Sequence, residues 1–361
     1  MKKFKVAVLG CTGLVGQYFL KLLEEHPYFE ITAISSSPRS AGKRYGDAVD
    51  WTVSSTIPPV LRDIVIAETS AKAILETKAQ IAFSALPADI AREIETALAG
   101  EGVYVFSNAS AHRLDSDVPI LIPEVNPDHF ELAEHQLKRR QGFIITNSNC
   151  STAGLVLALK PLQMFGLNSV IVSTYQAVSG AGRRGVASLE IIGNVIPFIN
   201  QEEDKIERET RKIFGILNDG KIQEAEMGVY ASCCRVPTQN GHLESVVIEL
   251  EEDVNEEMVA QSLSSFRGIP QRLCLPLAPD QPIILRKEVN RPQPLLDVNA
   301  GSPERAKGMA VSVGRIRKKG KKIGFFLLSH NCIRGAAGTT VLNAELAHAK
   351  GLLDWRTRRE K

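Results

Sequence analysis

The amino-acid sequence predicts an α/β protein with an N-terminal Rossmann-like domain and a second, α+β domain built on a mainly antiparallel sheet. Three observations support this prediction. A chain of 361 residues is longer than one hydrophobic core usually serves. Its first residues pass from a strand through a glycine-rich turn into a helix, as in a parallel βαβ unit. Beyond residue 166, strand patterns follow one another with few helices between them.

Composition excludes several classes of protein. Hydrophobic residues make up 44% and charged residues 23% of the chain, which is typical of globular proteins. The net charge of +2 is too small to indicate binding to nucleic acid or to a membrane surface. The six cysteines lack the CxxC spacing of a zinc site, so we expect no metal. No apolar run is long enough to cross a bilayer, and we expect a cytoplasmic protein.

The glycine-rich turn near the N-terminus predicts a dinucleotide site. It lies between a strand at 4–9 and an amphipathic helix at 17–23. Its three glycines permit a tight turn and a close approach of the main chain to a pyrophosphate at the helix N-terminus. The alternative is a tight turn in a domain that binds nothing. The cofactor contacts expected from this turn are Gly10, Thr12, Gly13, Leu14, Val15 and Gly16.

The end of the second strand predicts which dinucleotide is bound. NAD-preferring domains often place a carboxylate here for the ribose hydroxyl. In this chain the strand at 30–34 runs instead into a serine-rich segment with one arginine. Hydroxyls and a guanidinium suit the 2′-phosphate of NADP, so we expect NADP; the alternative is a serine-rich solvent loop. The expected contacts are Ser35, Ser36, Arg39 and Ser40, joined by Ser84 and Leu86 from the loop after a later strand.

Cys150 is the candidate nucleophile. It lies between an apolar, β-branched segment at 142–146 and a helix-favouring segment at 153–159. A thiol in the first turn of a helix feels the positive end of the helix dipole, which predicts a lowered pKa and a larger thiolate fraction. The usual alternative is an inert buried cysteine. The polar neighbours at 147–149 and 151–152 favour a functional thiol, because an inert core cysteine needs no donors around it.

The second half of the chain supplies the elements of the second domain. Strand patterns occur at 169–180, 244–250, 309–316 and 323–329, and helical stretches at 202–216 and 255–266. The basic run at 317–322 fits a hairpin turn. A final helix begins near Gly335 and is expected to pack on the first domain. The expected domains are therefore residues 1–149 plus 331–361, and residues 150–330.

Three further residues are candidates for binding or catalysis. Arg235 and His242 flank an Asn-Gly turn, so that both side chains can project into one cleft. A histidine there can act as a general acid or base, although a hydrogen-bonded loop histidine is an equal alternative. Arg113 follows a strand of the first domain and either clamps a carboxylate or phosphate or is a surface arginine.

Together these residues resemble the aspartate-β-semialdehyde dehydrogenase family in its archaeal and fungal form, over almost the whole chain. The segments that carry the resemblance are Gly10–Gly16, Ser107–Ala109, Asn147–Thr152, Tyr175–Gly180, Arg235–His242 and Ile333–Gly338. The resemblance implies NADPH-dependent reduction of L-aspartyl-4-phosphate to L-aspartate-4-semialdehyde and phosphate through a cysteine thioester. This is a step in lysine, threonine and methionine biosynthesis. It also implies a homodimer or homotetramer formed through the second domain.

The resemblance assigns catalytic roles to three residues: Cys150 as nucleophile, His242 as acid/base residue and Gln176 as the residue that orients the substrate. It also implies a set of substrate and cofactor contacts. Arg235 matches the grip on the α-carboxylate. Glu202, with Glu203 as a close rival, matches the carboxylate that faces the amino group. The phosphate contacts are Asn149, Arg113 and Lys205, and the additional cofactor contacts are Ser179, Gly180 and Asn331. From the sequence alone, Glu202 and Lys205 equally fit a charged helix face.

Three rival functions remain open from the sequence. N-acetyl-γ-glutamyl-phosphate reductase shares the chemistry but usually carries Gly-Cys-Tyr-Pro-Thr where this chain has Asn-Cys-Ser-Thr. Malonyl-CoA reductase is a close relative whose substrate-gripping residues are expected to differ, because malonate has no amino group. A non-catalytic NADP-binding regulatory protein on the same fold is the third rival, and the presence of both a candidate nucleophile and a candidate acid/base residue argues against it.

Overall fold

The structure, a computed structural model, describes residues 3–54 and 56–354. The outermost parts of the expected first domain, residues 1–2 and 355–361, lie outside the described residues. Six parallel strands form the first sheet, in the order β3-β2-β1-β4-β5-β6. They are β1 (Phe4–Leu9), β2 (Phe29–Ser36), β3 (Ala67–Glu68), β4 (Ile81–Ser84), β5 (Tyr104–Ser107) and β6 (Phe143–Thr146).

The strand order of the first sheet reverses between β1 and β4. At such a switch point the connections leave in opposite directions, so the carboxyl ends of the strands open a crevice for a ligand. β4, β5 and β6 are buried along their whole length, as expected for parallel strands covered on both faces. The helices in this part of the chain are α1 (Leu14–Leu23), α2 (Tyr45–Ala48), α3 (Pro59–Arg62), α4 (Ala71–Glu76), α5 (Ala88–Gly100) and α6 (Phe130–Arg139).

The helix that follows β6 leads into the second part of the molecule. This helix, α7 (Cys150–Leu159), is buried from Ser151 to Leu159 and is apolar around its circumference, as expected for a helix enclosed in a core. It packs in one apolar cluster with residues of the second sheet. Each fully buried leucine of such a helix contributes about 1.5–3 kcal/mol relative to exposure. The remaining helices are α8 (Ser188–Ile191), α9 (Glu202–Ile213), α10 (Glu256–Ser265), α11 (Ile269–Arg272), α12 (Pro294–Asp297) and α13 (Gly338–Ala349).

The second sheet is mixed, in the order β10-β7-β11-β14-β13-β12. Its three central pairings are antiparallel and its two outer pairings are parallel, which confirms a mainly antiparallel sheet. The strands are β7 (Leu167–Gln176), β10 (Gly228–Arg235), β11 (His242–Leu250), β12 (Ile283–Arg286), β13 (Val311–Lys319) and β14 (Lys322–Ser329); β8 (Ile216–Asn218) and β9 (Lys221–Gln223) form a separate hairpin.

The strand predicted at 169–180 ends earlier, at Gln176. The amides of Val178 and Ser179 donate to the carbonyls of Thr238 and Gln239 at 2.8 and 3.3 Å, so this segment joins the turn before β11 rather than a ladder. The chain then turns at Gly182, whose φ of +85° favours glycine. The early end of the strand leaves residues 177–182 free to form one wall of a cavity.

The C-terminal helix α13 packs with the first sheet, as the sequence predicts. Val341, Leu342 and Leu346 belong to the same apolar cluster as Val6 and Phe19. The chain therefore returns to the first sheet after completing the second, and the segment before α13 passes beside the start of α7. Among the described residues, no helix combines the length and apolar character needed to span a membrane.

Candidate active site

Cys150 is the first residue of α7 and directly follows the polar segment after β6. Asn149 caps the helix, because its Oδ1 accepts hydrogen bonds from the amides of Ser151 at 2.9 Å and Thr152 at 3.3 Å. This cap fixes the turn in which the thiol lies. The thiol is partly buried and lines a cavity of about 330 Å³ between the two sheets.

His242 places its Nε2 3.2 Å from the Cys150 sulfur. The histidine is the first residue of β11, and its Nδ1 accepts a hydrogen bond of 3.1 Å from the main-chain amide of Ala177. An amide always donates, so Nδ1 carries the lone pair and the neutral ring carries its proton on Nε2. The early end of β7 therefore fixes a histidine tautomer whose N–H faces the sulfur.

The electrostatics of this pair differ from what the helix position alone predicts. Burial raises the pKa of the Cys150 thiol, the nearby Glu202 carboxylate raises it further, and Arg113 and Arg235 oppose this shift. Burial, followed by the charge of Arg235, lowers the pKa of His242 to about 3. The predicted lowering of the Cys150 pKa is therefore wrong, because burial and the Glu202 carboxylate disfavour the thiolate. The pair is a neutral thiol beside a neutral imidazole.

The ends of β7 and β10 bring two more predicted residues close to the segment 177–182. Arg235 ends β10 opposite Gln176 at the end of β7, and its Nη1 donates to the Ala177 carbonyl at 2.8 Å. A Cβ at Gly180 would lie 2.6 Å from that Nη1 and 3.1 Å from Cε1 of His242. Glycine at this position therefore allows the arginine and the histidine to lie side by side.

Glu202 begins α9 and faces the nucleophile, whereas Glu203 does not. The Oε1 of Glu202 accepts from Asn149 Nδ2 at 2.9 Å and from Gln176 Nε2 at 3.0 Å. Glu203 instead accepts a hydrogen bond from the Cys233 amide at 3.0 Å. The geometry thus favours Glu202 over its neighbour as a substrate contact.

Arg113 connects this cavity with a second one. Its Nη2 donates to the Asn108 carbonyl at 2.9 Å, and the side chain is 8% exposed. It lines the Cys150 cavity and also an adjoining cavity of about 290 Å³. Lys205 lines the adjoining cavity rather than the one that contains Cys150. Of the three predicted phosphate contacts, Arg113 and Asn149 therefore line the cavity that contains Cys150, and Lys205 does not.

The glycine-rich turn forms a close-fitting cradle, which we call the nucleotide cradle (residues 10–16). Gly10 has a φ of +78°, and a Cβ there would lie 2.7 Å from the Ala85 carbonyl oxygen. A Cβ at Gly16 would overlap the Gly10 carbonyl oxygen. Gly13 to Gly16 line the Cys150 cavity together with Ser179, Gly180 and Asn331. A main chain this tightly folded at a helix N-terminus fits a dinucleotide pyrophosphate.

The residues predicted to select NADP are placed unequally. Ser36 Oγ lies 2.7 Å from Thr12 Oγ1, at the edge of the nucleotide cradle. Arg39 is exposed and Ser40 is half-buried, so both can meet a nucleotide. Ser35 is fully buried, and its hydroxyl accepts a hydrogen bond from Thr69 at 3.1 Å. A contact of the Ser35 side chain with a nucleotide would have to replace that bond.

Ser84 and Leu86 are buried, while Ala85 between them lines the cavity. The strand β4 ends at Ser84, and Leu86 packs in an apolar cluster of the first domain. Ser84 and Leu86 were predicted as cofactor contacts, but Ala85 is the residue of this loop that lines the cavity. Successive residues at a strand end point in opposite directions, which explains the difference of one position.

Two asparagines tie the loops around the cavity together. Asn331, predicted as a cofactor contact, donates from Nδ2 to Ser179 Oγ at 2.8 Å and accepts from the Gly241 amide at 2.9 Å. Asn147 donates to the Ala336 carbonyl at 3.0 Å. Neither the partner of Asn147 nor its role follows from the sequence, although its place in the motif around Cys150 is a signal.

Comparison with known proteins places the chain in a family. Residues 5–133 match the model "Semialdehyde dehydrogenase, NAD binding domain", and residues 159–334 match "Semialdehyde dehydrogenase, dimerisation domain". An aspartate-semialdehyde dehydrogenase of Archaeoglobus fulgidus is 48% identical over 95% of this chain and 98% of its own length. The crystal structure of the Candida albicans aspartate-semialdehyde dehydrogenase with NADP is 40% identical, has a TM-score of 0.88 and covers 97% of this chain and 99% of that chain. A malonyl CoA reductase (NADP) of Metallosphaera sedula is 39% identical over 98% of this chain and 99% of its own length.

Proposed function

The chain belongs to the aspartate-semialdehyde dehydrogenase family, and we propose that it converts L-aspartyl-4-phosphate and NADPH into L-aspartate-4-semialdehyde, phosphate and NADP. The observation that carries this proposal is the 3.2 Å contact between Cys150 Sγ and His242 Nε2 in a cavity that the nucleotide cradle also lines. The product is a precursor of lysine, threonine and methionine. The N-acetylglutamyl-phosphate and regulatory alternatives lack comparable support.

The nucleotide cradle fits NADP, and its residues would hold the pyrophosphate through main-chain amides at the start of α1. Ser36, Arg39 and Ser40 lie where a 2′-phosphate is expected, and the buried Ser35 contributes through its main chain, whose carbonyl accepts from the Gly10 amide at 2.9 Å. Bound NADPH supplies the hydride for the reduction. Ser179, Gly180 and Asn331 line the same cavity as the thiol.

Cys150 forms and later releases the covalent bond to the substrate. The Cys150 thiol first releases its proton to solvent water in the cavity. The resulting thiolate attacks the carbonyl carbon of the acyl phosphate, a C–S bond forms, and the bond to phosphate breaks with its electrons on the departing phosphate oxygen. The thioester carbon next accepts a hydride, which leaves negative charge on its oxygen. The C–S bond then breaks, the aldehyde forms, and Cys150 leaves as a thiolate.

His242 supports both covalent steps from a fixed tautomer. Its Nε2–H points at the reacting sulfur, so it can donate to the thiolate and to the oxygen that becomes negative after reduction. The bond from Ala177 to Nδ1 keeps the proton at Nε2. In this geometry the neutral histidine acts as a hydrogen-bond donor that stabilises the negative charge on the sulfur and on the oxygen.

Two opposite charges recognise the aspartyl group. Arg235 is placed to bind the α-carboxylate, and Glu202 is placed to bind the ammonium group. Gln176 donates to Glu202 at 3.0 Å and so helps to orient the carboxylate. Arg113, Lys205 and Asn149 bind the phosphate. A malonyl group carries no ammonium, so a buried Glu202 beside the thiol favours aspartyl phosphate over a malonyl thioester.

We further propose the domain division at residues 149/150 and 330/331, a cytoplasmic location and assembly into a homodimer or homotetramer. The second part of the chain matches a dimerisation domain. Large apolar side chains are exposed in that part, among them Leu189 at 97%, Tyr230 at 66% and Phe198 at 65%. Exposure of several such residues is typical of a surface that another subunit covers.

One assay tests the reaction. NADPH formation is measured with NADP and either aspartate semialdehyde plus phosphate, N-acetylglutamate semialdehyde plus phosphate, or malonate semialdehyde plus coenzyme A. We expect turnover with the first pair and a kcat/KM at least about 100-fold lower with the other two, since each lacks a partner for Glu202. Absence of turnover with aspartate semialdehyde and phosphate contradicts the proposal, and turnover with coenzyme A in its place identifies a malonyl-CoA reductase.

A further inference from the structure

Glu209 is a buried carboxylate that the reaction described above does not use. It lies on α9, seven residues after Glu202 and four after Lys205, and this spacing places all three on one side of the helix. Its side chain is 3% exposed, and it lines the adjoining cavity with Lys205. A buried carboxylate is costly unless it is paired, so its partners indicate what it does.

Glu209 bridges the phosphate-binding arginine and the turn that carries the nucleophile. Its Oε1 accepts from Arg113 Nη1 at 2.9 Å. Its Oε2 accepts from the main-chain amide of Asn149 at 2.5 Å, one residue before Cys150. One carboxylate therefore sets the separation between a guanidinium and the first turn of α7, and both bonds are of the strong, charge-assisted type.

The same helix also fixes the main chain of Arg113. Lys212 Nζ donates to the carbonyls of Arg113 at 2.7 Å, Asp115 at 2.8 Å and Val118 at 2.9 Å. Lys212 thus determines where the Arg113 backbone lies, and Glu209 determines where its guanidinium points. The bonds to Glu209 and to the Asn108 carbonyl use one N–H on each terminal nitrogen and leave the second N–H of each for an oxyanion.

We propose that Glu209 is a positioning residue that aligns the phosphate-binding guanidinium of Arg113 with the Cys150 sulfur. This inference rests on the proposed function, because it assigns Arg113 to the phosphate. By holding both groups, Glu209 places the acyl carbon at the sulfur while the departing phosphate lies on the arginine. If either group is misplaced, the acyl carbon cannot lie at the sulfur while the phosphate lies on the arginine, and the reaction slows.

The test is the substitution Glu209→Gln, assayed with aspartate semialdehyde, phosphate and NADP. Glutamine has the same shape, but its NH₂ group must face either Arg113 or the Asn149 amide, both of which donate. One of the two bonds is therefore lost. We expect the KM for phosphate to rise roughly tenfold, with the KM values for NADP and aspartate semialdehyde within about twofold of wild type. A general loss of structure would instead change all three constants.

A matched control lies on the same helix. Glu207 also accepts a hydrogen bond from a main-chain amide, that of Ala231 at 3.0 Å, but it contacts neither the nucleophile turn nor Arg113. Glu207→Gln should leave the KM for phosphate within about twofold of wild type. An equal rise in both variants would overturn the proposal, because it would trace the effect to α9 as a whole.

Arg113→Ala separates a positioning role from a direct one. If Glu209 acts through Arg113, Glu209→Gln should change the KM for phosphate by less than about twofold in the Arg113→Ala background. A full tenfold effect in that background would overturn the proposal. Should Glu209→Gln fail to fold, Glu209→Asp keeps the charge but shortens the reach, and we expect roughly a threefold rise in the same constant; no rise contradicts the proposal.

The outcomes separate this inference from the proposed function. A wild-type enzyme without phosphate-dependent NADPH formation overturns the proposed function and the inference that rests on it. An active wild-type enzyme together with an unchanged KM for phosphate in Glu209→Gln overturns the role of Glu209 alone.

Discussion

The nucleotide cradle lines the cavity that also exposes Cys150, the central residue of the catalytic cluster, but the two regions are built in opposite ways. The nucleotide cradle is seven consecutive residues, and its shape depends on main-chain atoms and on the absence of side chains. The catalytic cluster (Cys150, Gln176, Glu202, Arg235 and His242) gathers five side chains from separate elements and holds them with hydrogen bonds. The function of the nucleotide cradle therefore depends on steric fit, and that of the catalytic cluster depends on charge and on the position of protons.

The largest difference between the two regions is expected when the thiol of Cys150 is removed. Cys150→Ser should lower kcat by more than about 10³-fold, because a hydroxyl is a far weaker nucleophile than a thiol at neutral pH. NADP affinity should stay within about twofold of wild type, since the nucleotide cradle is untouched. Steady-state kinetics and a fluorescence titration with NADP measure the two effects. Retained turnover would exclude Cys150 from the mechanism.

The converse change closes the nucleotide cradle. Gly16→Ala places a Cβ against the Gly10 carbonyl oxygen, so the turn must open and we expect NADP affinity to fall roughly 100-fold. Alkylation of Cys150 by iodoacetamide should remain unchanged. Gly100→Ala is the control, because a Cβ there meets no atom within 4 Å. Equal NADP affinities in the two variants would show that the nucleotide cradle does not hold the cofactor.

Substitution of the adjacent carboxylates Glu202 and Glu203 tests whether the catalytic cluster depends on charge. Glu202→Gln should lower kcat/KM for aspartate semialdehyde roughly 30-fold, through loss of a charged partner for the ammonium group. Glu203→Gln should leave this constant within about twofold. It should lower the free energy of unfolding by about 1 kcal/mol, because the Glu203 carboxylate accepts a hydrogen bond from the Cys233 amide. If the two kinetic effects were reversed, Glu203 would be the substrate contact.

The pKa shifts predict the pH dependence of Cys150. With the thiol pKa raised and the His242 pKa lowered to about 3, the pair stays neutral through the neutral range. Alkylation of Cys150 in the enzyme without ligands should therefore rise about tenfold per pH unit from pH 7 to pH 9, in step with the thiolate fraction. Peptide mass spectrometry follows Cys150 separately from the exposed Cys274. A pH-independent rate below pH 7 would indicate a thiolate–imidazolium pair instead.

The smallest expected effect lies at the edge of the nucleotide cradle. Arg39 is exposed, so its contribution to binding a 2′-phosphate is weakened by solvent. Arg39→Ala should lower kcat/KM for NADPH about fivefold and leave that for NADH unchanged. Equal losses with both cofactors would mean that Arg39 does not distinguish them, and a wild-type preference for NADH would refute the NADP assignment.

Sequence reasoning succeeded wherever local pattern and local structure coincide. The glycine-rich turn, the cysteine at the start of α7 and the strand β11 all lie where the sequence predicts them. It failed where burial decides the outcome. The sequence indicates a lowered pKa for Cys150, whereas desolvation raises it. It also proposes the hydroxyl of Ser35 for the cofactor, although packing buries that group.

The role of Glu209 shows a second limit. The sequence contains its spacing of seven residues from Glu202, but a charged helix face explains such spacing equally well. Only the contacts to Arg113 and to the Asn149 amide distinguish it from a solvated side chain. Those partners are 96 and 60 residues away along the chain, so no local pattern contains them.

By itself the sequence determined the two sheets, the nucleotide cradle and the place of the candidate nucleophile at the start of a helix, because periodicity, glycine positions and helix capping act over a few neighbouring residues. The tertiary structure alone decided the proton position on His242, which of Glu202 and Glu203 bonds to Asn149, and the bonds of Glu209 to Arg113 and the Asn149 amide. These depend on which distant groups share a site shielded from water, where a single amide or carboxylate changes the preferred charge and orientation of its neighbour.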